Sequence, residues 1–308
     1  MKKILVSLAA LFAAATMLSA QNMADATETA KLANESLSAG ELKTALKGFQ
    51  EALVMAEACG DEGLELVATC QGIIPRISSN IASGLFKEKK YDESIATYEE
   101  TIALAEKYGD DATANKARNL IPQIFAEKGK DLQNAKDFDG AVEAYGKSLE
   151  LAPANGNVAL RMGMALEAAG KAEEAIAAYQ TAAANGQEKN ANGQIGKIYL
   201  KRSVDELKAK KYGDAIKDAL ASLEFANNPQ ALQIAGQASQ LSGKNDDAIK
   251  YFSQYLEAAP DAKNAGSIAY TVGALYQNAK NNAKAKEFYQ KAVASGYADA
   301  QKALAALK

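Results

Sequence analysis

One sequence frame recurs seven times along this chain, and it constrains the fold more than any other feature. The segments are residues 42–50, 91–99, 138–146, 172–180, 212–220, 245–253 and 282–290. Each places a small residue at a fixed point: Ala45, Ser94, Ala141, Ala175, Ala215, Ala248 and Ala285. Four residues later stand Phe49, Tyr98, Tyr145, Tyr179, Ala219, Phe252 and Tyr289. A spacing of four puts both on one helical face, one turn apart. The small residue lets a second helix approach, and the ring fills the gap beside it. Aliphatics near the next turn (Leu53, Ile102, Leu149, Leu223, Leu256, Val293) extend the stripe. Apolar alternation at period two is missing from these stretches, which argues against strands.

A partner helix precedes each frame. Residues 154–169 run into Gly170, 229–242 into Gly243, and 264–280 into Asn281 and Asn282. Gly163, Gly236 and Gly273 each lie twelve residues before the aligned alanine. A glycine inside a helix costs about 1 kcal/mol relative to alanine, so its return at one register implies a helix crossing that a side chain would block. The Asp92-Glu93, Glu173-Glu174 and Asp246-Asp247 pairs follow turns, where a first-turn carboxylate suits the helix dipole.

This pattern resembles the tetratricopeptide repeat family over about residues 24–296. The clearest unit is 157–187, with Met162-Gly163 and Leu166 followed by Ala175, Tyr179 and Ala182. The resemblance implies an all-α fold, an α-α superhelix of about seven antiparallel helix pairs with a concave groove lined mainly by first helices. The expected organisation is one solenoid over 21–308, closed by a capping helix at 298–307. The family's period is 34 residues, whereas the aligned positions here are 49, 47, 34, 40, 33 and 37 apart. The two longest units echo each other: Ile73-Ile74-Pro75 corresponds to Leu120-Ile121-Pro122. Their first helices, about 62–88 and 111–135, are therefore extended, and each proline should kink its helix or divide it. The 40-residue unit carries a similar extension.

Residues 1–20 read as a secretory signal peptide: Lys2 and Lys3, an apolar run from Ile4 to Leu18, then Ser19-Ala20 before Gln21. The run is short for a transmembrane anchor. Export would place the mature chain in the periplasm or outside the cell. Loss of this segment, which carries two lysines and no acid, moves the formal net charge from −3 to −5. An acidic chain without a basic stripe is a poor nucleic-acid binder. The chain has no histidine, which excludes imidazole metal sites and histidine-based catalysis. No carboxylate pair or phosphate-binding loop stands out, so no catalytic residue, metal or cofactor is expected. Cys59 and Cys70 flank a predicted turn. Eight residues of helix, about 12 Å, separate Cys70 from that turn, too far for an intrachain disulfide.

The expected function is non-enzymatic protein or peptide binding, or scaffolding, at the bacterial cell envelope. The candidate groove residues are Gln230, Gln233, Gln237, Gln240, Tyr270, Gln277 and Asn278, with Ser267 beside them. Gln123, Lys130 and Asn134 occupy comparable faces nearer the N-terminus. Neutral amides beside a tyrosine can hydrogen-bond an extended backbone, or a glycan, without demanding charge. The alternative is a small-molecule or glycan carrier with a pocket near the extended helices at Pro75 and Pro122.

Overall fold

The computed structural model describes residues 22–307, and the chain divides into two compact units that meet in sequence between Ala154 and Asn155. The first unit contains three helix pairs. These are α1 (22–38) with α2 (Leu42–Ala58), α3 (Leu64–Lys87) with α4 (Tyr91–Tyr108), and α5 (Asp111–Asn134) with α6 (Phe138–Leu151). The second contains four pairs and a final helix. Its pairs are α7 (Gly156–Ala168) with α8 (Ala172–Ala182), α9 (Glu188–Lys208) with α10 (Tyr212–Phe225), α11 (Pro229–Leu241) with α12 (Asn245–Ala258), and α13 (Ala265–Asn278) with α14 (Asn282–Ala294). The last helix is α15 (Ala298–Ala306). The described residues include no strand, and the fold is the expected all-α stack of helix pairs. The predicted export segment lies outside the described residues.

Each pair is held by one repeated contact. The aligned small residues Ala45, Ser94, Ala141, Ala175, Ala215, Ala248 and Ala285 are all fully buried. Sixteen residues before each aromatic position, on the first helix, stands a residue with little or no side chain: Ala33, Ala82, Gly129, Gly163, Ser203, Gly236 or Gly273. A methyl group on Gly163 would lie 2.5 Å from the Tyr179 ring, and on Gly236 2.5 Å from the Phe252 ring. Gly129 and Gly273 stand against Tyr145 and Tyr289 in the same way, each at 2.7 Å. The recurring glycine is therefore a socket for the ring of its partner helix. Replacing Gly236 by alanine should cost about 1–3 kcal/mol, as overpacking of a filled core does. The alanine variant of Gly72, where nothing lies within 4 Å, should gain up to about 1 kcal/mol from helix propensity. Paired urea denaturations compare the two.

The turn inside each pair is equally regular. Its pivot is a left-handed residue five positions before the aligned small residue: Gly40, Lys89, Lys136, Gly170, Lys210, Gly243 and Lys280. Backbone bonds such as Lys211 N to Glu206 O and Lys210 N to Leu207 O close the helix end at 2.9 and 3.1 Å. Four pivots are lysines with φ near +60°, where a Cβ crowds the following carbonyl. A positive charge at a helix C-terminus offsets part of that cost. Lys210→Gly and Lys280→Gly should each raise stability by about 1 kcal/mol, readable as a higher urea midpoint; a lower midpoint in both would contradict this account of the turn.

The three longer pairs share a further device. Helix α3 runs unbroken through Pro75, and α5 through Pro122, so neither proline divides its helix. In each of these pairs a buried hydroxyl sits at one register of the second helix: Thr101, Ser148 or Ser222. Ser148 donates to the Pro122 carbonyl and Ser222 to the Gly196 carbonyl, both at 2.7 Å, while Thr101 meets Ser78 at 2.7 Å. These bonds serve backbone and hydroxyl groups inside the packing, where an unmet one would be costly.

Other expectations shift by small amounts. A 3-10 turn, Gly60–Gly63, precedes α3, which therefore starts at Leu64 and not near residue 62. Cys59 and Cys70 are both buried and not joined in a disulfide; Cys59 Sγ donates to the Met55 carbonyl at 3.3 Å, and burial pushes the Cys70 thiol up. Helix α15 caps α14 mainly through Ala300, which joins Ala269 and Ala292 beside Tyr270, Val293 and Tyr297. The stripe of Ala303, Leu304 and Leu307 is only half-buried.

Candidate functional site

Charge is unevenly shared between the two helices of a pair in the second unit. Helices α11 and α13 contain no charged residue, although 24% of the whole chain is charged. Their partners α12 and α14 carry acids and lysines on exposed positions. On α11 the apolar and small residues Ala231, Ile234, Ala235 and Ala238 are buried. The opposite face presents Gln230 and Gln240 fully and Gln233 and Gln237 in part. A spacing of three and four keeps these four amides on one stripe about 15 Å long.

Several predicted groove residues already have partners. Gln233 accepts a bond from the Asn264 amide at 3.1 Å, and Asn264 accepts one from the Tyr255 hydroxyl at 2.5 Å. This chain of three ties α11, α12 and the turn before α13 together. Gln277 accepts from the Tyr289 hydroxyl at 2.7 Å. Tyr270 lies between Tyr289 and Tyr297, with ring centroids 5.4 and 5.2 Å away. Ser267 donates to the Asn264 carbonyl at 2.9 Å. Asn278 is exposed. The residues the structure leaves turned outward are thus Gln230, Gln237, Gln240 and Asn278. In the first unit, Gln123 is bonded to the Asn119 carbonyl and Lys130 to Glu127.

The Gln277 bond belongs to a series. Tyr145 donates to Gln133 and Tyr179 to Glu167 across the same interval of twelve residues. Burial and the Glu167 carboxylate together hold the Tyr179 hydroxyl well above its usual range. The α11–α12 pair breaks the series, because Phe252 has no hydroxyl to offer Gln240. Phe252→Tyr should supply one and gain about 0.5–1 kcal/mol. The test is thermal denaturation with a double-mutant cycle against Gln240→Ala: coupling near zero would show that the hydroxyl does not reach Gln240.

Two exposed apolar residues lie at registers of the outward amides. Leu241 follows Gln240 and is 60% exposed; it lies at the register of Asn278, five residues after the socket glycine. Met164, 39% exposed, follows Gly163 as Gln237 follows Gly236. Counting forward from the recurring glycine finds Leu241, which sequence reasoning did not single out. Near the prolines, Pro75 is buried in α3 and the Pro122 carbonyl is bonded to Ser148, and a cleft of about 230 Å³ lies between α5 and α6, lined by residues including Phe125, Lys128, Leu132 and Lys147. The second unit holds a cleft of about 420 Å³ between the α7–α8 turn and α9, lined by residues including Glu167, Ile198, Lys201, Arg202 and Glu206. Among the described residues, no cluster of three or more His, Cys, Asp or Glu could hold a metal ion. No helix of the described residues is long and apolar enough to cross a membrane.

The repeated helix pair, glycine socket and left-handed pivot define a helical-repeat protein. Residues 267–295, which span most of α13 and α14, match the profile of the tetratricopeptide repeat. The other pairs share that register, and the fold is a tetratricopeptide-like stack of antiparallel helix pairs. No curated protein matches the sequence. Solved structures resembling it include a MamA protein, 19% identical, with a TM-score of 0.36 over 59% of this chain and 96% of that one. Another is the C-terminal part of a TPR repeat-containing protein from Cytophaga hutchinsonii, 19% identical, with a TM-score of 0.38 over 70% and 78%. A third is YrrB, described as a TPR protein with an unusual peptide-binding site, 20% identical, with a TM-score of 0.33 over 56% and 84%. At these values nothing passes from them to this chain.

Proposed function

We propose that this chain is a non-enzymatic binding or scaffolding module that holds an uncharged stretch of polypeptide on α11 and α13. The observation that carries this reading is the charge-free pair of first helices with outward amides on one stripe. An amide both donates and accepts, so successive glutamines can pair with the carbonyl and N–H of an extended backbone. Leu241 and Met164 add apolar surface for side chains of the bound segment. A face with no charge gives no reward to an acidic or basic peptide, which would lose solvation there without gaining a partner. The export-like N-terminal sequence supports a setting in the bacterial cell envelope, in the periplasm or beyond it.

A peptide array of mixed composition, probed with the protein at 0.1 M and 1 M salt, tests this. The expected ligands are uncharged segments whose binding changes less than about threefold between the two conditions, since screening acts on charges. The triple variant Gln230→Ala, Gln237→Ala and Gln240→Ala should lose them while melting like the parent, because none of the three has a role in the packing described above. Salt-sensitive binding of acidic or basic peptides, or an unaffected triple variant, would remove the proposal. Gln233 and Tyr270 are poor choices for this test, because their contacts hold the helices together.

A further inference from the structure

The α9–α10 pair departs from the repeat at several positions at once. Its ring position holds Ala219, and its socket holds Ser203. In place of the missing ring contact lies an ionic cluster. Asp218, only 4% exposed, receives the Arg202 fork through Nε and Nη2, the latter at 2.9 Å. The remaining guanidinium nitrogen, Nη1, goes to Glu173 on α8. Arg202 also lies over the Tyr199 ring, 4.9 Å from its centroid. All three of its nitrogens are therefore engaged.

Glu206 completes the cluster without a donor of its own. It stands four residues before the pivot Lys210, a register at which other pairs have Leu85, Leu132 and Leu166. Its Oε2 is shut off from solvent, and among the described residues it has no hydrogen-bond partner. The charged groups that act on it are Asp214 and Asp218 from α10 and Arg202 from its own helix. Nearby, Asp205 pairs with Lys208 at 3.6 Å, Lys201 and Lys211 line the cleft wall, and α11 contributes no charge. Two carboxylates side by side cannot hydrogen-bond; a carboxylic acid and a carboxylate can.

We propose that the α9–α10 pair contains a proton-dependent latch, in which Glu206 keeps a proton and donates it to Asp218 beneath Arg202, and whose ionisation loosens α9 from α10. Burial of Glu206 and the charge of Asp218 both push its carboxyl above the ordinary 4.5, with Arg202 opposing. A carboxyl raised on folding means that the folded chain takes up a proton. The stabilisation is complete below pH about 4.5, and it is lost as pH rises through the folded-state value. The cleft beside it, with Arg202 and Glu206 on its wall, gains a negative charge over the same interval.

The wild-type full chain, labelled with ¹³C at glutamate carboxyls and assigned through bonds, gives the direct test. The Glu206 carboxyl should titrate above 4.5 and above the exposed glutamates. Urea midpoints give the second readout. Glu206→Gln, which cannot ionise, should match the wild type at pH 4, below the unfolded-state value. At pH 8 it should be more stable, by about tenfold in the folding equilibrium for each unit by which the carboxyl is raised. Should that variant fail to fold, Glu206→Leu restores the residue three other pairs use, and the carboxyl titration stands without either. Titration at or below 4.5, or an equal pH dependence in wild type and variant, overturns the latch.

Discussion

The fold depends on a ring seated over a glycine, or a residue nearly as small, sixteen positions earlier. The contact brings two helix backbones closer than side chains normally allow, and it buries the largest side chains of the protein, Tyr145, Tyr179 and Tyr289 among them. Burial of an aromatic side chain is the largest single apolar gain available to a helix of this length. An isolated helix of eleven to fourteen residues is marginal in water. Neither helix of a pair such as α7–α8 or α13–α14 would persist without the other. Stability thus belongs to the pair and to its stacked neighbours, as expected of a repeat array.

The socket explains why the repeat tolerates variable length. The pivot, the aligned small residue and the ring lie within ten residues of one another, so their geometry is set locally. The intervals between units vary because first helices can lengthen at their N-terminal ends and connections can widen. The α8–α9 connection does so through Ala183–Gln187, where Asn185 and Gly186 leave helical geometry. In each longer pair a buried hydroxyl on the second helix bonds to the extended first helix: Thr101 to Ser78, Ser148 to the Pro122 carbonyl and Ser222 to the Gly196 carbonyl. The hydroxyl is the small polar counterpart of the ring: both are placed by the second helix at a fixed offset from the pivot.

This separation also decides what could be read from the sequence. The seven frames, the three glycines and the long first helices were legible, because each is a spacing within one or two turns. The fourth socket, Gly129, was not singled out, although it sits at the same register in a pair whose length hides the pattern. The outward amides were legible only in part. Spacing placed Gln233, Tyr270 and Gln277 among the groove candidates, but it could not show that Asn264, Tyr297 and Tyr289 contact them. Those partners lie twelve to thirty-one residues away in sequence, and such pairings depend on how the pairs stack.

The α9–α10 pair shows what happens when the governing contact is given up. With Ala219 in place of a ring, the pair is held by Arg202 and Asp218 and by the apolar cluster around Ile234 and Tyr251. A buried ion pair loses much of its attraction to the cost of desolvation, whereas a ring on a glycine meets no such penalty. A pair built this way is more responsive to conditions than its neighbours, since proton occupancy and charge act on it directly. The helices α11 and α13 carry no carboxylate, amine or guanidinium, so no such ionic response can start on them. The proposed proton response and the proposed neutral face thus lie on different helices of the second unit.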